Sequence, residues 1–193
     1  MDHLRARDPR LAEVVERVGP IRLTPHRCAP FESLARAIVY QQLSGKAAAT
    51  IFGRLLEKCG GGIGPRELAR LSDANLRSAG VSPQKLGYLR DLSARSLSGA
   101  LELDSVRALD DAQIIESLTA VKGIGRWSAE MFLMFHLGRP DVLPVGDLGI
   151  RKAAQRLYRL RGLPAEERLT KIAEPWRPFR TAACWYLWRS LEA

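Results

Sequence analysis

The 193 residues carry 30 lysines and arginines against 21 aspartates and glutamates, a formal net charge of +9, and 46% of the side chains are hydrophobic. The hydrophobic share is ordinary for a globular chain, and no apolar run approaches the ~18 residues of a membrane span. The charged N-terminus, with no apolar stretch behind it, does not read as a secretion signal, so the expected location is the cytoplasm, with no membrane partner. Three scattered cysteines, Cys28, Cys59 and Cys184, exclude a disulfide framework and any Cys-x-x-Cys metal or iron–sulfur site. The basic surplus favours a polyanionic partner.

The punctuation predicts about ten helices. Phe31, Leu34, Ala35, Ile38, Val39 and Leu43 make one apolar stripe, which predicts a helix over 30–43. Ser44 can cap a second helix running to about residue 58, where three glycines stop it. Pro65 opens a short helix, and residues 72–79 form another that Gly80 ends. Ser82 and Pro83 start a longer one carrying Leu86, Leu89 and Leu97. Asp110 and Gln113 have capping-box spacing ahead of a helix over 111–119. Helices over 126–137 and 148–160 follow, and Pro164 and Pro178 open the last two. No alternating β-branched run calls for a strand. The fold class is therefore all-α: one domain over 1–193, a helical bundle with two lobes and a groove between them. His136 lies near the end of an apolar helical run and reads as a packing residue.

Two stretches carry chemistry. From Leu118 to Phe132 the chain reads Leu-Thr-Ala-Val-Lys-Gly-Ile-Gly-Arg-Trp-Ser-Ala-Glu-Met-Phe. One helix ends, Gly123 and Gly125 make a tight turn, and another helix starts at once. Glycines allow backbone conformations that a side chain forbids, and close approach of another backbone. Amides of the turn and of the next helix's first turn lack helical partners, so with the helix dipole they form an anion site suited to a phosphate. Lys122 and Arg126 flank it. Downstream, Asp147 stands immediately before the helix over 148–160. An aspartate there is a favoured N-cap, and a helix N-terminus also favours the ionised carboxylate. Such an anion can stabilise a cationic transition state, as when a glycosidic bond breaks and the sugar becomes oxocarbenium-like.

At these residues the sequence resembles the helix-hairpin-helix DNA glycosylase superfamily, in particular its 3-methyladenine DNA glycosylase II branch, which acts on alkylated bases. Three segments carry the likeness: Ile38 to Ala48 with Gln41-Gln42-Leu43-Ser44; Leu118 through Asp147 to Ala153; and Trp176 to Arg180, continuing to Trp185 and Trp188. The resemblance implies an all-α fold whose N- and C-terminal segments form one lobe, with the hairpin-bearing lobe over roughly 45–140 and the active site in the cleft between them. It implies a monomer that binds double-stranded DNA containing damaged bases, associates with the nucleoid and needs no cofactor. Asp147 matches the family's catalytic aspartate. Gly123, Ile124 and Gly125 match the phosphate-binding hairpin, beside Lys122 and Arg126. The carbonyls of Thr119, Val121 and Ile124 match positions that hold a monovalent cation in relatives. Gln42 matches the side chain that fills the gap left by a flipped base. Trp127, Met131 and Trp188 match the base pocket, where an indole face attracts a cationic alkylated base; some relatives have tyrosine at the Met131 position. Strand-nicking relatives carry a lysine at the Trp127 position, and tryptophan cannot form their Schiff base. The expected activity is thus a monofunctional glycosylase for alkylated purines such as 3-methyladenine, leaving an abasic site. The alternatives are a glycosylase for oxidised, deaminated or mismatched bases, and a non-catalytic DNA-binding module.

Overall fold

The structure, a computed structural model, describes residues 1–192. Among them it has twelve α-helices and no strand, so the all-α expectation holds. The two helices beyond the expected ten are α1, Asp2–Arg7, and α2, Pro9–Val18. Asp8 starts α2 as its N-cap, accepting from the Arg10 and Leu11 amides at 3.1 Å each, with Pro9 in the first turn. Leu11, Val14 and Val15 are the buried face.

The chain forms two compact units, one of Met1–Pro25 with the chain from Leu133 onward, the other His26–Phe132. The second unit holds α3, Pro30–Tyr40; α4, Gly45–Lys58; α5, Pro65–Arg70; α6, Asp73–Ser78; α7, Pro83–Ser98; α8, Asp111–Thr119; and α9, Arg126–Phe132. Its starts are those local chemistry dictates. Ser44, Ser72 and Ser82 each accept from the amide three residues on, and Asp110 and Gln113 close both arms of a capping box. Its core gathers Leu34, Ile38, Phe52, Leu55, Leu68, Leu89, Leu92, Ile114 and Leu118.

The first unit adds α10, Leu148–Tyr158; α11, Glu166–Ala173; and α12, Arg180–Arg189. α2, α10 and α12 pack together, burying Ile150, Ala153, Ala154, Ala183, Tyr186 and Leu187. Asp8 is the polar pin of this core: its second carboxylate oxygen accepts from the Trp176 indole at 2.7 Å and from the Tyr158 hydroxyl. Burial, and then the adjacent Asp8, push the Tyr158 phenol far above its ordinary range. The last residue of α10 is thereby fixed.

Three expectations shift. α3 stops at Tyr40 rather than 43. The 126–137 helix remains α-helical only to Phe132, and Leu133–Leu137 is a π-helical turn. Pro164 and Pro178 lie two residues ahead of their helices, whose N-caps are Ala165 and Phe179. Proline fits these approaches as it fits a first turn, because its φ suits extended backbone too.

Candidate active site

The hairpin joins α8 to α9. Val121, Ile124, Ala129 and Phe132 are buried beneath it, which fixes the two helices against each other. Gly123 takes φ +81, and a Cβ built there would lie 2.1 Å from the Tyr88 ring. This glycine is required by the fold itself. Gly125 has no left-handed φ and open space around a would-be Cβ, so nothing within the chain demands glycine there. The turn does not present all its amides. The Lys122 amide donates to Asp91 Oδ2 at 2.9 Å, and the Ile124 amide to the Val121 carbonyl at 3.1 Å. Among the described residues, those of Gly123 and Gly125 have no protein acceptor. Lys122 is exposed. Arg126 is also exposed, yet its Nε donates at 3.0 Å to Glu130, whose side chain is only 5% exposed.

Asp91 lies on α7. Desolvation pushes its carboxyl up, but the Lys122 amide and the Arg95 guanidinium outweigh that and hold it below the usual range. Gln42 sits in the turn after α3 with φ +55, a conformation that costs a non-glycine residue about 1–2 kcal/mol. Its side chain is exposed, and neighbouring Gln41 donates to the Gly123 carbonyl at 2.8 Å. Trp127 is 52% exposed and Met131 half-buried, both on α9.

Asp147 is in the other unit, 9% exposed, as the N-cap of α10. Its Oδ1 accepts from the Ile150 amide at 2.7 Å and from the Trp188 indole at 3.0 Å. Capping and orientation thus fall on one oxygen. Gly149 makes this possible, since a Cβ there would meet Trp188 Cδ1 at 3.0 Å and Asp147 Oδ1 at 3.1 Å. Trp188 also lies against the Phe135 ring, centroids 6.1 Å apart. The loop that leads to Asp147 is tied to α12 and the turn before it: Arg180 and Arg177 each donate to Asp141 at 2.7 Å, and Thr181 donates to the Arg139 carbonyl at 2.7 Å and accepts from the Val142 amide at 3.1 Å.

Sequence reading identified Asp147 and Trp188 separately and did not foresee their bond. It missed Gly149, whose only signal is a glycine two residues past a cap, inside a helix where glycine is unfavourable. It named Gln41 only as part of a matching segment, without its bond to Gly123, and missed Lys85, Tyr88 and Asp91, which look like an ordinary solvated helix face.

A helical frame in which a glycine turn offers amides, and a helix start holds a buried carboxylate, is that of a helix-hairpin-helix base-excision protein. The family model described as HhH-GPD superfamily base excision DNA repair protein matches residues 35–178, and the chain belongs to that superfamily. It is 37% identical over 195 residues to DNA-3-methyladenine glycosylase 1 of Schizosaccharomyces pombe, covering 97% of this chain and 85% of the relative. The crystal structure of a DNA-3-methyladenine glycosidase from Bacillus halodurans matches with a TM-score of 0.86 at 43% identity, covering 97% of this chain and 86% of that one. A Schizosaccharomyces pombe 3-methyladenine DNA glycosylase in complex with abasic DNA matches at 0.85 and 36%, covering 99% and 95%.

Proposed function

We propose that this chain is a monofunctional DNA glycosylase that excises alkylated purines such as 3-methyladenine and leaves an abasic site. The observation that carries the reading is the Asp147 carboxylate, buried at a helix N-terminus and oriented by the Trp188 indole, in a chain that also has the glycine hairpin. The names of the relatives above support the same reading.

In this mechanism the Gly123 and Gly125 amides, with Lys122 and Arg126, grip the DNA backbone without reading sequence. The carbonyls of Thr119, Val121 and Ile124 would hold a monovalent cation, which would add positive charge to the turn. Gln42 enters the duplex where the damaged nucleotide leaves it. Trp127, Met131 and Trp188 receive the base, an indole face contributing roughly 0.5–2 kcal/mol toward a cationic purine. The bond from the sugar's anomeric carbon to the base nitrogen then breaks, and its electron pair leaves with the base. Asp147 stabilises the oxocarbenium-like sugar and orients water. Water oxygen bonds to the anomeric carbon, and its proton passes to the carboxylate and on to solvent. An alkylated base already carries positive charge, so it leaves without a strong acid. Trp127 supplies no amine, so no Schiff base forms and the strand stays intact.

The test is base release from methylated duplex DNA by the wild-type chain and by Asp147→Asn. Asparagine caps helices as well as aspartate does, so this variant removes the charge and keeps the cap. Release should fall at least ~100-fold, while binding to undamaged duplex is unchanged. Full activity in Asp147→Asn refutes the mechanism, and a borohydride-trapped protein–DNA adduct refutes the monofunctional assignment.

A further inference from the structure

The Gln41–Gln42 turn is held in place by a residue from elsewhere in the sequence. Lys85, in the first turn of α7, places its Nζ 2.7 Å from the Val39 carbonyl and 2.6 Å from the Gln41 carbonyl, donating to both. Carbonyls in the last turn of a helix lack helical donors and carry the negative end of the helix dipole, so an ammonium group is well suited to close α3. The turn's own bonds are long: Gln41 N to the Ile38 carbonyl and Leu43 N to the Tyr40 carbonyl, both 3.4 Å. They are poor support for a glutamine at φ +55.

α7 reaches the hairpin from the same side of its surface. Tyr88, three residues after Lys85, lies against Gly123, and Asp91, three further on, accepts the Lys122 amide. Such spacing sets the three side chains along one face of the helix. The Gln41 side chain closes the circuit by donating to the Gly123 carbonyl. One helix face therefore registers the turn that carries Gln42 against the turn that presents the Gly123 and Gly125 amides. Half-burial lowers the Lys85 ammonium below the ordinary lysine range, a cost borne for the two carbonyls it serves.

We propose that Lys85 is a positioning residue for base flipping: by closing α3 it fixes the left-handed backbone of Gln42 and so the direction in which that side chain enters DNA. The proposal rests on the reading of Gln42 as the duplex-entering side chain. Lys85 acts through the backbone of the turn, by its bonds to the Val39 and Gln41 carbonyls.

The experiment uses the full chain and the variants Lys85→Met, Lys85→Arg, Gln42→Ala and the Lys85→Met/Gln42→Ala double variant. A duplex with a tetrahydrofuran abasic-site analogue beside 2-aminopurine reports entry of the side chain as a rise in fluorescence, and single-turnover release from methylated DNA reports the chemistry. Displacement of a positioned group by an ångström can cost up to about 100-fold, so Lys85→Met should lose roughly 10- to 100-fold in release, together with the fluorescence rise. Lys85→Arg, which keeps charge and donors, should restore most of both. Affinity for undamaged duplex should stay within about twofold, since the phosphate contacts of the hairpin are intact. The two residues should also be coupled: the double variant should be no slower than Gln42→Ala alone. Additive losses, or wild-type fluorescence in Lys85→Met, overturn the role of Lys85 and leave that of Gln42 standing. An unimpaired Gln42→Ala overturns both. Should Lys85→Met fail to fold, a wild-type fluorescence rise in Gln41→Ala, which cuts the link to Gly123, would overturn the registration of the two turns, and its loss would support it.

Discussion

Replacing Gly123 and Gly125 one at a time by alanine separates the two jobs of the hairpin. At Gly123 the new methyl meets the Tyr88 ring at 2.1 Å and the residue must hold φ +81. The left-handed backbone costs about 1–2 kcal/mol and the overpacking about 1–3 kcal/mol, together roughly 2–5 kcal/mol. For a chain of this size each kcal/mol moves the melting temperature by about 2–4 °C, so Gly123→Ala should melt on the order of 10 °C lower. At Gly125 the methyl enters open space without a left-handed φ, and stability should stay within about 1 kcal/mol of wild type, with the sign toward stabilisation. On the proposed grip, the same methyl stands where a phosphate would approach the amides. Losing one hydrogen bond to a charged group costs about 1.5–3 kcal/mol, which is roughly 10- to 100-fold in affinity. Differential scanning fluorimetry reads the first effect. Fluorescence anisotropy with undamaged duplex of several sequences, at one fixed salt concentration, reads the second. A Gly125→Ala protein that melts with Gly123→Ala, or binds duplex as tightly as wild type, refutes the division of labour. Loss on one sequence only refutes backbone recognition.

Two further predictions follow from named contacts. Trp188→Phe removes the 3.0 Å bond to Asp147 Oδ1 and keeps an aromatic ring beside Phe135; release should slow by about tenfold or more, and Gly149→Ala, which crowds the same pair, should slow it in the same direction without loss of duplex binding. Normal single-turnover release in both variants would show that the indole does not orient the carboxylate. Asp91 governs a pH effect. Its folded carboxyl lies below the ordinary value of 3.8, so its contribution to stability is fully present above that value and is lost as pH falls through the lower folded one. The gap in urea midpoint between wild type and Asp91→Asn should therefore be level from about pH 8 to 5 and close only below the ordinary aspartate value. A gap that closes near neutrality would mean that another group carries it.

What the sequence made legible is what depends on near neighbours. The caps at Ser44, Ser72, Ser82 and Asp110 satisfy amides three residues on, so side chain and partner are read together. The hairpin is legible for the same reason: two glycines and the apolar residues flanking them specify a turn between two helices. α2 was readable as well, because Asp8 and Pro9 precede apolar residues at 11, 14, 15 and 18, although no helix was predicted ahead of residue 30. Other features depend on partners far along the chain. The end of α3 is set by Lys85, 46 and 44 residues from the carbonyls it serves, and the periodicity of 30–43 runs smoothly past it. The amide of Lys122 is claimed by a carboxylate 31 residues earlier, and Asp147 is oriented by an indole 41 residues later. No local pattern encodes such pairs.

That distinction bears on how one aspartate can be both a helix cap and the reactive group proposed above. A cap requires only an acceptor oxygen at the right place, and on that requirement serine or asparagine would serve at 147. The reaction requires charge, held at a fixed angle through the change from substrate to oxocarbenium-like sugar. In this fold the Ile150 amide satisfies the first requirement, and the Trp188 indole donates to the same oxygen, the bond that on the proposed reading meets the second. Gly149 lets the indole come close. At its far end α10 is fixed by the bond of Tyr158 to Asp8, and the loop before Asp147 is fixed by Asp141 and Thr181 against α12. A carboxylate that must meet a developing cation without reorganising needs restraint on both sides of its helix, and the bonds around Asp147 fit that proposed role.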